Sequence, residues 1–296
     1  MITVVICEDR SHHPRRAVLR RELAAFLAPS PDVKRVMLPH LVDLAPDGPG
    51  MQALQSADGD MIVLASLYPR ATHWILDANA VRGRLGRSAF FDPEGLDVAA
   101  GPTGGNDEVP ERTIWCIDLR PHGDPKPLLQ EIGRIVEEST GEPLGPVESG
   151  GSSGGGGIRI DETTQFRWYP VIDCDRCQNC LECLNFCLFG VFNVDESGRL
   201  FVEQPDACRD GCPACARVCS SQAIIFPHHD SPAIAGDHKA PAATYNPGLV
   251  QLLGGLGGFG GPSPQELAAA ERDRALAEQK KDELDRLVDD LDRLDL

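Results

Sequence analysis

The chain has 296 residues, enough for two compact domains, and carries 28 Lys and Arg against 45 Asp and Glu, a formal charge of -17. A surface of that sign repels nucleic acid and anionic membranes, so neither is expected as a partner. No stretch reaches the roughly 18 apolar residues of a membrane span and residues 1–7 lack the basic start of a secretion signal, so we expect a cytoplasmic protein without membrane insertion.

The apolar, β-branched residues 2–6 predict a first strand. Over 14–27, Arg15, Arg16, Arg20 and Arg21 alternate with Val18, Leu19, Leu23, Phe26 and Leu27 at amphipathic spacing, which predicts a helix. Further strands are predicted at 33–38, 60–67 and 113–119, with helices at about 71–81 and at 125–138. This order predicts an α/β domain over 1–140, a small parallel sheet of the flavodoxin or Rossmann kind covered on both faces. The passage 91–111, rich in Gly, Pro and acids, reads as a long, disordered loop.

Residues 141–157 end in Gly-Gly-Ser-Ser-Gly-Gly-Gly-Gly and read as a flexible linker between domains. A cysteine-rich domain follows over 158–227. Residues 228–262 are dominated by Pro, Ala, Gly and His and are expected to be a disordered, low-complexity linker. Ser263, Pro264 and Glu266 then mark a helix start, opening an acidic amphipathic helix over 263–296. Its Leu284, Leu287, Leu291 and Leu294 form a seam suited to packing on the chain itself, to docking or to dimerisation.

Eleven cysteines in a chain without a secretion signal argue for metal rather than disulfides. Cys7 and Cys116 stand alone in strand-like runs and are expected to be small core residues. The other nine lie within residues 174–219. Cys177, Cys180, Cys183 and Cys187 have gaps of two, two and three residues, the spacing of the bacterial iron–sulfur run whose fourth Cys serves the other cluster. Cys208, Cys212, Cys215 and Cys219 form a second quartet, with 190–202 between them reading as a hairpin turned at Asp-Glu-Ser-Gly. Zinc also takes four thiolates, yet two quartets at these gaps fit cubanes better. The spacing Cys208-x3-Cys212-x2-Cys215 also occurs in radical S-adenosylmethionine enzymes, which are expected to need a large barrel.

On these residues the segment resembles the bacterial dicluster [4Fe-4S] ferredoxin family, over about 70 residues. The resemblance implies an α+β domain holding two [4Fe-4S] clusters, one on Cys177, Cys180, Cys183 and Cys219, the other on Cys208, Cys212, Cys215 and Cys187. This chain departs from the family pattern in three places. Leu188 and Ser220 stand where a Pro usually follows the fourth Cys, the second quartet opens with three intervening residues instead of two, and Cys174 is surplus, read as a bystander thiol. Full cysteine ligation favours electron transfer over substrate chemistry. Asp173, Asp175, Glu182, Asp206 and Asp210 are expected to lower the potentials.

The N-terminal domain lacks a Gly-rich phosphate loop, since Cys7-Glu8-Asp9-Arg10 follows the first strand and Gly83-Arg84-Leu85-Gly86 is too short and too late. Its most site-like element is 65–70, with His73 and Trp74 after it. His12, His13, His228 and His229 read as polar loop residues. The pairing of such a domain with a ferredoxin loosely resembles iron–sulfur subunits of heterodisulfide reductase and hydrogenase complexes. The reading is an iron–sulfur electron-transfer protein, a carrier or subunit with oxidoreductase partners rather than a stand-alone enzyme. The alternative is a redox enzyme whose N-terminal domain binds flavin or another small molecule. A third reading is a sensor that signals through labile clusters.

Overall fold

A computed structural model describes residues 1–10, 14–27, 33–93, 111–144 and 157–240, together with 268–270, 272–274, 276–277 and 281 of a C-terminal helix. The expectations for His12 and His13, for most of the 91–111 loop, for most of the 141–157 linker and for the leucine seam of the last helix lie outside these residues. The chain divides into two compact units, one ending at Phe166 and the other beginning at Arg167. Among the described residues no helix is long and apolar enough to cross a membrane.

The first unit runs β1 (Ile2–Cys7), α1 (Pro14–Phe26), β2 (Val33–Leu38), α2 (Pro49–Gln55), β3 (Met61–Ala65), α3 (Pro69–Ala78), β4 (Arg84–Leu85), β5 (Thr113–Asp118), α4 (Pro125–Thr140) and β6 (Ile158–Arg159). Its strands form one parallel six-stranded sheet in the order β4-β5-β3-β1-β2-β6. Every residue of β1 and β3 is buried, as a sheet sandwiched between helices requires. Val4, Ile6, Ile62, Leu64, Trp115 and Ile117 share a core with Leu19 and Leu23 of α1 and Leu128, Ile132 and Ile135 of α4. The alternate positions Val5, Cys7, Val63 and Cys116 point to the opposite face by strand periodicity. Each large aliphatic side chain buried this way contributes about 1.5–3 kcal/mol. The ends of α4 are set locally: Asp124 accepts from the Lys126 N–H at 3.0 Å, Pro125 opens the first turn, and Gly141 at φ +76° closes the last.

The four strands read from periodicity are present, and two more join them. β4 and β6 have two residues each, too few for any apolar period to register. β6 also moves a boundary. Ile158 and Arg159 pair with Val36 and Met37 of β2, and the Glu162 carboxylate accepts from the N–H groups of Ala45 at 3.2 Å and Gly50 at 2.9 Å. A Cβ at Gly50 would come within 2.8 Å of both that carboxylate and the end of the Leu44 side chain, so glycine lets the Glu162 side chain sit close against the backbone of α2. Residues 158–166 therefore belong with the sheet rather than with the cysteine-rich unit, where the composition had placed them.

The second unit is built from short pieces: β7 (Val171–Ile172), α5 (Glu182–Phe186), β8 (Phe192–Val194), β9 (Leu200–Val202), α6 (Ala214–Val218) and β10 (Ile224–Ile225). β7 pairs antiparallel with β10, β8 pairs antiparallel with β9, and α5 packs on α6. The β8–β9 hairpin turns at the expected residues. Asp195 Oδ1 accepts from the N–H groups of Ser197 and Arg199 at 2.8 and 2.9 Å, and Gly198 adopts φ +78°.

The expected disorder from residue 228 onward is corrected for 228–240. Ile234 is fully buried in the same core as Phe226 and Ile224, and its carbonyl accepts the Phe226 N–H at 2.9 Å. The local turn is closed by Ala235 N–H to Ser231 O and Asp237 N–H to Pro232 O. One isoleucine in a Pro- and Ala-rich passage is invisible to composition, yet it fills an apolar site and fixes the chain around it.

Candidate metal centre

Eight of the nine cysteines of the second unit gather into two sets. Cys183 neighbours Cys219, Cys177 and Cys180, so that these four thiols act on one another. Cys187, Cys208, Cys212 and Cys215 line a single cavity of about 300 Å³, counted with its open mouth, walled by Phe186, Phe189, Val191 and Phe192. The two short helices explain the exchange. α5 carries Cys183 in its first turn and is capped by Cys187, while α6 carries Cys215 and is capped by Cys219. Each helix thus contributes one thiol to each set, and α5 against α6 brings Cys215 near Cys183 as well as Cys187.

Backbone geometry around the thiols is unusual. Asn179 and Leu181, on either side of Cys180, adopt φ +53° and +62°, and Gln222 adopts φ +56° just after Cys219. Non-glycine residues take this region rarely and at a cost, so the surrounding structure must hold them. Asn179 shows how. Its amide donates to Gly198 O at 2.8 Å and accepts from the Leu200 N–H at 2.9 Å, tying the first cysteine loop to the β8–β9 hairpin. In the second set, the extra residue between Cys208 and Cys212 is absorbed by Gly211 at φ +76°, with the Cys212 N–H donating to Arg209 O. The Trp168 indole N–H donates to the Cys212 carbonyl at 3.4 Å while its ring stacks on Phe226, 5.3 Å between centroids. Sequence reasoning passed over Asn179 and Trp168. Asn179 lies inside the cysteine run and its type favours left-handed turns, a signal that was there to read.

Electrostatics define what these sets can hold. Burial, followed by the neighbouring thiols, pushes the Cys183 thiol up to about 12. Burial and then the neighbouring cysteines raise Cys208 and Cys215 as well, and burial foremost raises Cys177. Four thiolates in one apolar site are therefore strongly disfavoured unless a cation neutralises them, which is the situation a bound metal relieves. Backbone donors are already aimed at sulfur: the Ala223 N–H lies 3.3 Å from Cys219 Sγ, and the N–H groups of Asn179 and Leu184 donate to Cys177 and Cys183. Such N–H···S bonds support metal-bound thiolate. The donor set and its surroundings fit iron–sulfur clusters.

The remaining cysteines stand apart. Cys7 and Cys116 are buried in the parallel sheet, where desolvation pushes Cys7 up to about 12 and Cys116 higher still, so both are inert core thiols. Cys174 is exposed. Among the nearby acids, Asp173 is buried beside Cys177 and its carboxylate accepts the Arg176 N–H at 3.1 Å. Asp206 is paired with Arg167 at 2.8 Å.

At the carboxyl edge of the parallel sheet, the place where a phosphate loop would sit is occupied by ion pairs. Asp9 binds Arg16 at 2.7 Å and Glu8 binds Arg159 at 2.7 Å. Residues 65–70 and their helix are mostly core: Arg70, Ala71, Thr72, His73, Trp74, Ile75 and Leu76 are all buried. Gly83 to Gly86 flank β4 at the sheet edge, and the Gly86 face packs on the Trp115 ring. His229 accepts from the Ser231 N–H at 2.8 Å and packs against Trp168.

Comparison with curated proteins finds an uncharacterised ferredoxin of Methanocaldococcus jannaschii, 44% identical over 66 residues, which is 22% of this chain and 44% of that protein. The match therefore spans less than half of that relative's own length. No family model matches the chain, and no solved structure matches it. The match and the cysteines together mark an iron–sulfur, ferredoxin-like region.

Proposed function

We propose that the chain is an iron–sulfur electron-transfer protein that relays single electrons through two [4Fe-4S] clusters, as a carrier or as a subunit of an oxidoreductase system. The observation that carries this reading is the gathering of eight cysteines into two sets of four, each walled by apolar side chains. Cys177, Cys180, Cys183 and Cys219 would hold one cluster, and Cys187, Cys208, Cys212 and Cys215 the other. When bound, such clusters supply one-electron redox chemistry at iron sites with no open position.

The protein's own residues define the rest. Buried apolar side chains of Val191, Phe192, Ala216 and Ile224 shield the buried thiols Cys183, Cys215 and Cys219 from water, and the N–H groups of Ala223, Asn179 and Leu184 spread the sulfur charge. The short helices and left-handed turns hold the cysteines in place, so little rearrangement accompanies a change of charge. Asp173 beside Cys177 and Asp210 beside Cys208 bias the sites toward low potential. An acidic chain of this kind suits partners that present basic surfaces around their own redox centres.

The test is iron, acid-labile sulfide and flavin content, with EPR of the reduced form, on protein purified without oxygen. About eight iron and eight sulfide without flavin are expected for two cubanes. Half that content removes one cluster, and stoichiometric flavin moves the conclusion to a redox enzyme.

A further inference from the structure

The C-terminal helix lies far from the cysteines in sequence, yet its described residues pack directly on one of the two sets. Ala268 is fully buried in an apolar cluster with Cys212 and Ala214, against which Phe186, Phe189 and Val218 pack. Arg272 follows four residues later, on the same helical face. Its guanidinium lies 4.8 Å from the centroid of the Phe186 ring and lines the cavity shared by Cys187, Cys208, Cys212 and Cys215. The Arg272 side chain is 23% exposed, while Asp273, its partner at 3.2 Å, is 66% exposed and therefore better screened by water. The cation is the charge turned toward the cavity.

The first set is flanked instead by the β8–β9 hairpin, tied to its loop through Asn179. Cys180 is exposed, as are Asp175, Gln178 and Glu182 around it. The two sets therefore differ in both access and local charge. One has Arg272 and a helix over it, with Asp210 beside Cys208, and the other has exposed acids and the Asp173–Arg176 pair beside Cys177.

We propose that the C-terminal helix is an intramolecular cap on the second cysteine set, with Arg272 as a positioning residue that raises the potential of the cluster held there. The first set is then the side open to a partner's one-electron centre. This inference rests on the two-cluster reading above. A buried or half-buried cation favours the more negative, reduced state of a nearby cluster, because charge interactions weaken little where water is excluded. Removing the helix also admits water and chelator to the second set.

Two experiments on the full chain and its variants test the cap. In the first, iron is stripped by a chelator under mild oxidation, released thiols are trapped by alkylation at intervals, and the modified cysteines are mapped by mass spectrometry. Cys177 and Cys180 are expected to be alkylated before Cys208 and Cys212 in the full chain, and a chain ending before Ser263 is expected to lose that order. In the second, both midpoint potentials are followed by EPR-monitored titration. Arg272→Gln is expected to lower one potential by about 59 mV, a tenfold change for one electron, and to leave the other in place. Arg272→Lys keeps the charge and is expected to restore it, and Asp273→Asn to shift the same potential slightly upward. Equal stripping of both sets in the full chain, or potentials unmoved in Arg272→Gln while eight iron remain, overturns the cap and leaves the two-cluster reading intact. Full-length protein without iron and sulfide overturns both.

Discussion

The two units are held together by different means. The first is a parallel sheet whose central strands are buried on both faces and packed by α1 and α4, so its stability comes from a continuous apolar core. In the second, strands of two or three residues and helices of five surround eight cysteines whose thiols are costly to bury together. The lesson is that apolar burial suffices where the strands are long enough to share a core, whereas very short elements need a central group that ties distant segments together. The cysteine unit recruits 228–240 and the C-terminal helix to cover itself, which extends its small core beyond the cysteine run.

The sharpest way to break the comparison is to remove metal. Chelation of the reduced protein is expected to unfold the second unit while the sheet of the first persists, because metal binding and folding are coupled where metal supplies the core. Far-UV circular dichroism should keep most of its helical signal, and proteolysis should cut within 167–240 but spare the sheet. Simultaneous loss of both units would contradict the division.

The converse change targets the sheet alone. Ile62→Ala removes a fully buried side chain from the core shared with α1 and α4 and is expected to cost about 2–5 kcal/mol. Denaturant melts should show the loss, while iron content and the visible spectrum of the folded protein stay unchanged.

A smaller effect tests what holds the first cysteine loop. Asn179→Ala deletes two hydrogen bonds to the β8–β9 hairpin and leaves a left-handed residue without its anchor, at about 1–2 kcal/mol. Chelator should strip iron several-fold faster from this variant, with little change in the melting of the first unit. Asn179→Gly, which relieves the backbone strain but not the lost bonds, should recover part of the difference.

The smallest expected effect is a pH dependence confined to the second unit. Burial, followed by the nearby Arg217, lowers the His229 imidazole to about 4 in the folded state. The unfolded chain therefore takes up the proton first, near the ordinary histidine value of about 6.5. Stability from this site is fully present above that value, falls as the pH drops toward 4, and is constant below it. His229 is partly open to solvent, so the loss is discounted to on the order of 1 kcal/mol. Thermal melts between pH 7.5 and 5.5 should show the slope in the native chain and a shallower one in His229→Gln.

Much of the fold was legible in advance for a clear reason. Residues 2–6, 60–67 and 113–119 are largely apolar runs long enough to register as buried strands, 33–38 registers as a strand through Val33, Val36, Met37 and Leu38 despite Lys34 and Arg35, and the Arg and Leu pattern of 14–27 registers as a helix. The limits have equally specific causes. β6 is two residues placed by pairing with Val36 and Met37, so the composition of the Gly and Ser stretch before it set the wrong boundary. Ile234 gives no periodic signal in a Pro- and Ala-rich passage, and its burial depends on the space left beside Phe226. At the candidate site, the residue types and gaps of 177–187 and 208–219 announced metal chemistry, whereas Asn179 and Trp168 act through partners remote in the chain.

By itself, then, the sequence determined the chemistry available and the elements long enough to declare their own period: a parallel α/β sheet, and thiols at spacings that suit clusters. Tertiary structure alone decided which groups meet. The packing of α5 on α6 sets Cys215 beside Cys187 and Cys183, Asn179 finds the backbone of Gly198 and Leu200, and Arg272 comes to rest over Phe186 at the mouth of the second cysteine set. Local pattern follows from the geometry of neighbouring residues, but contacts between distant ones depend on the path of the whole chain and on the shape of the space it leaves.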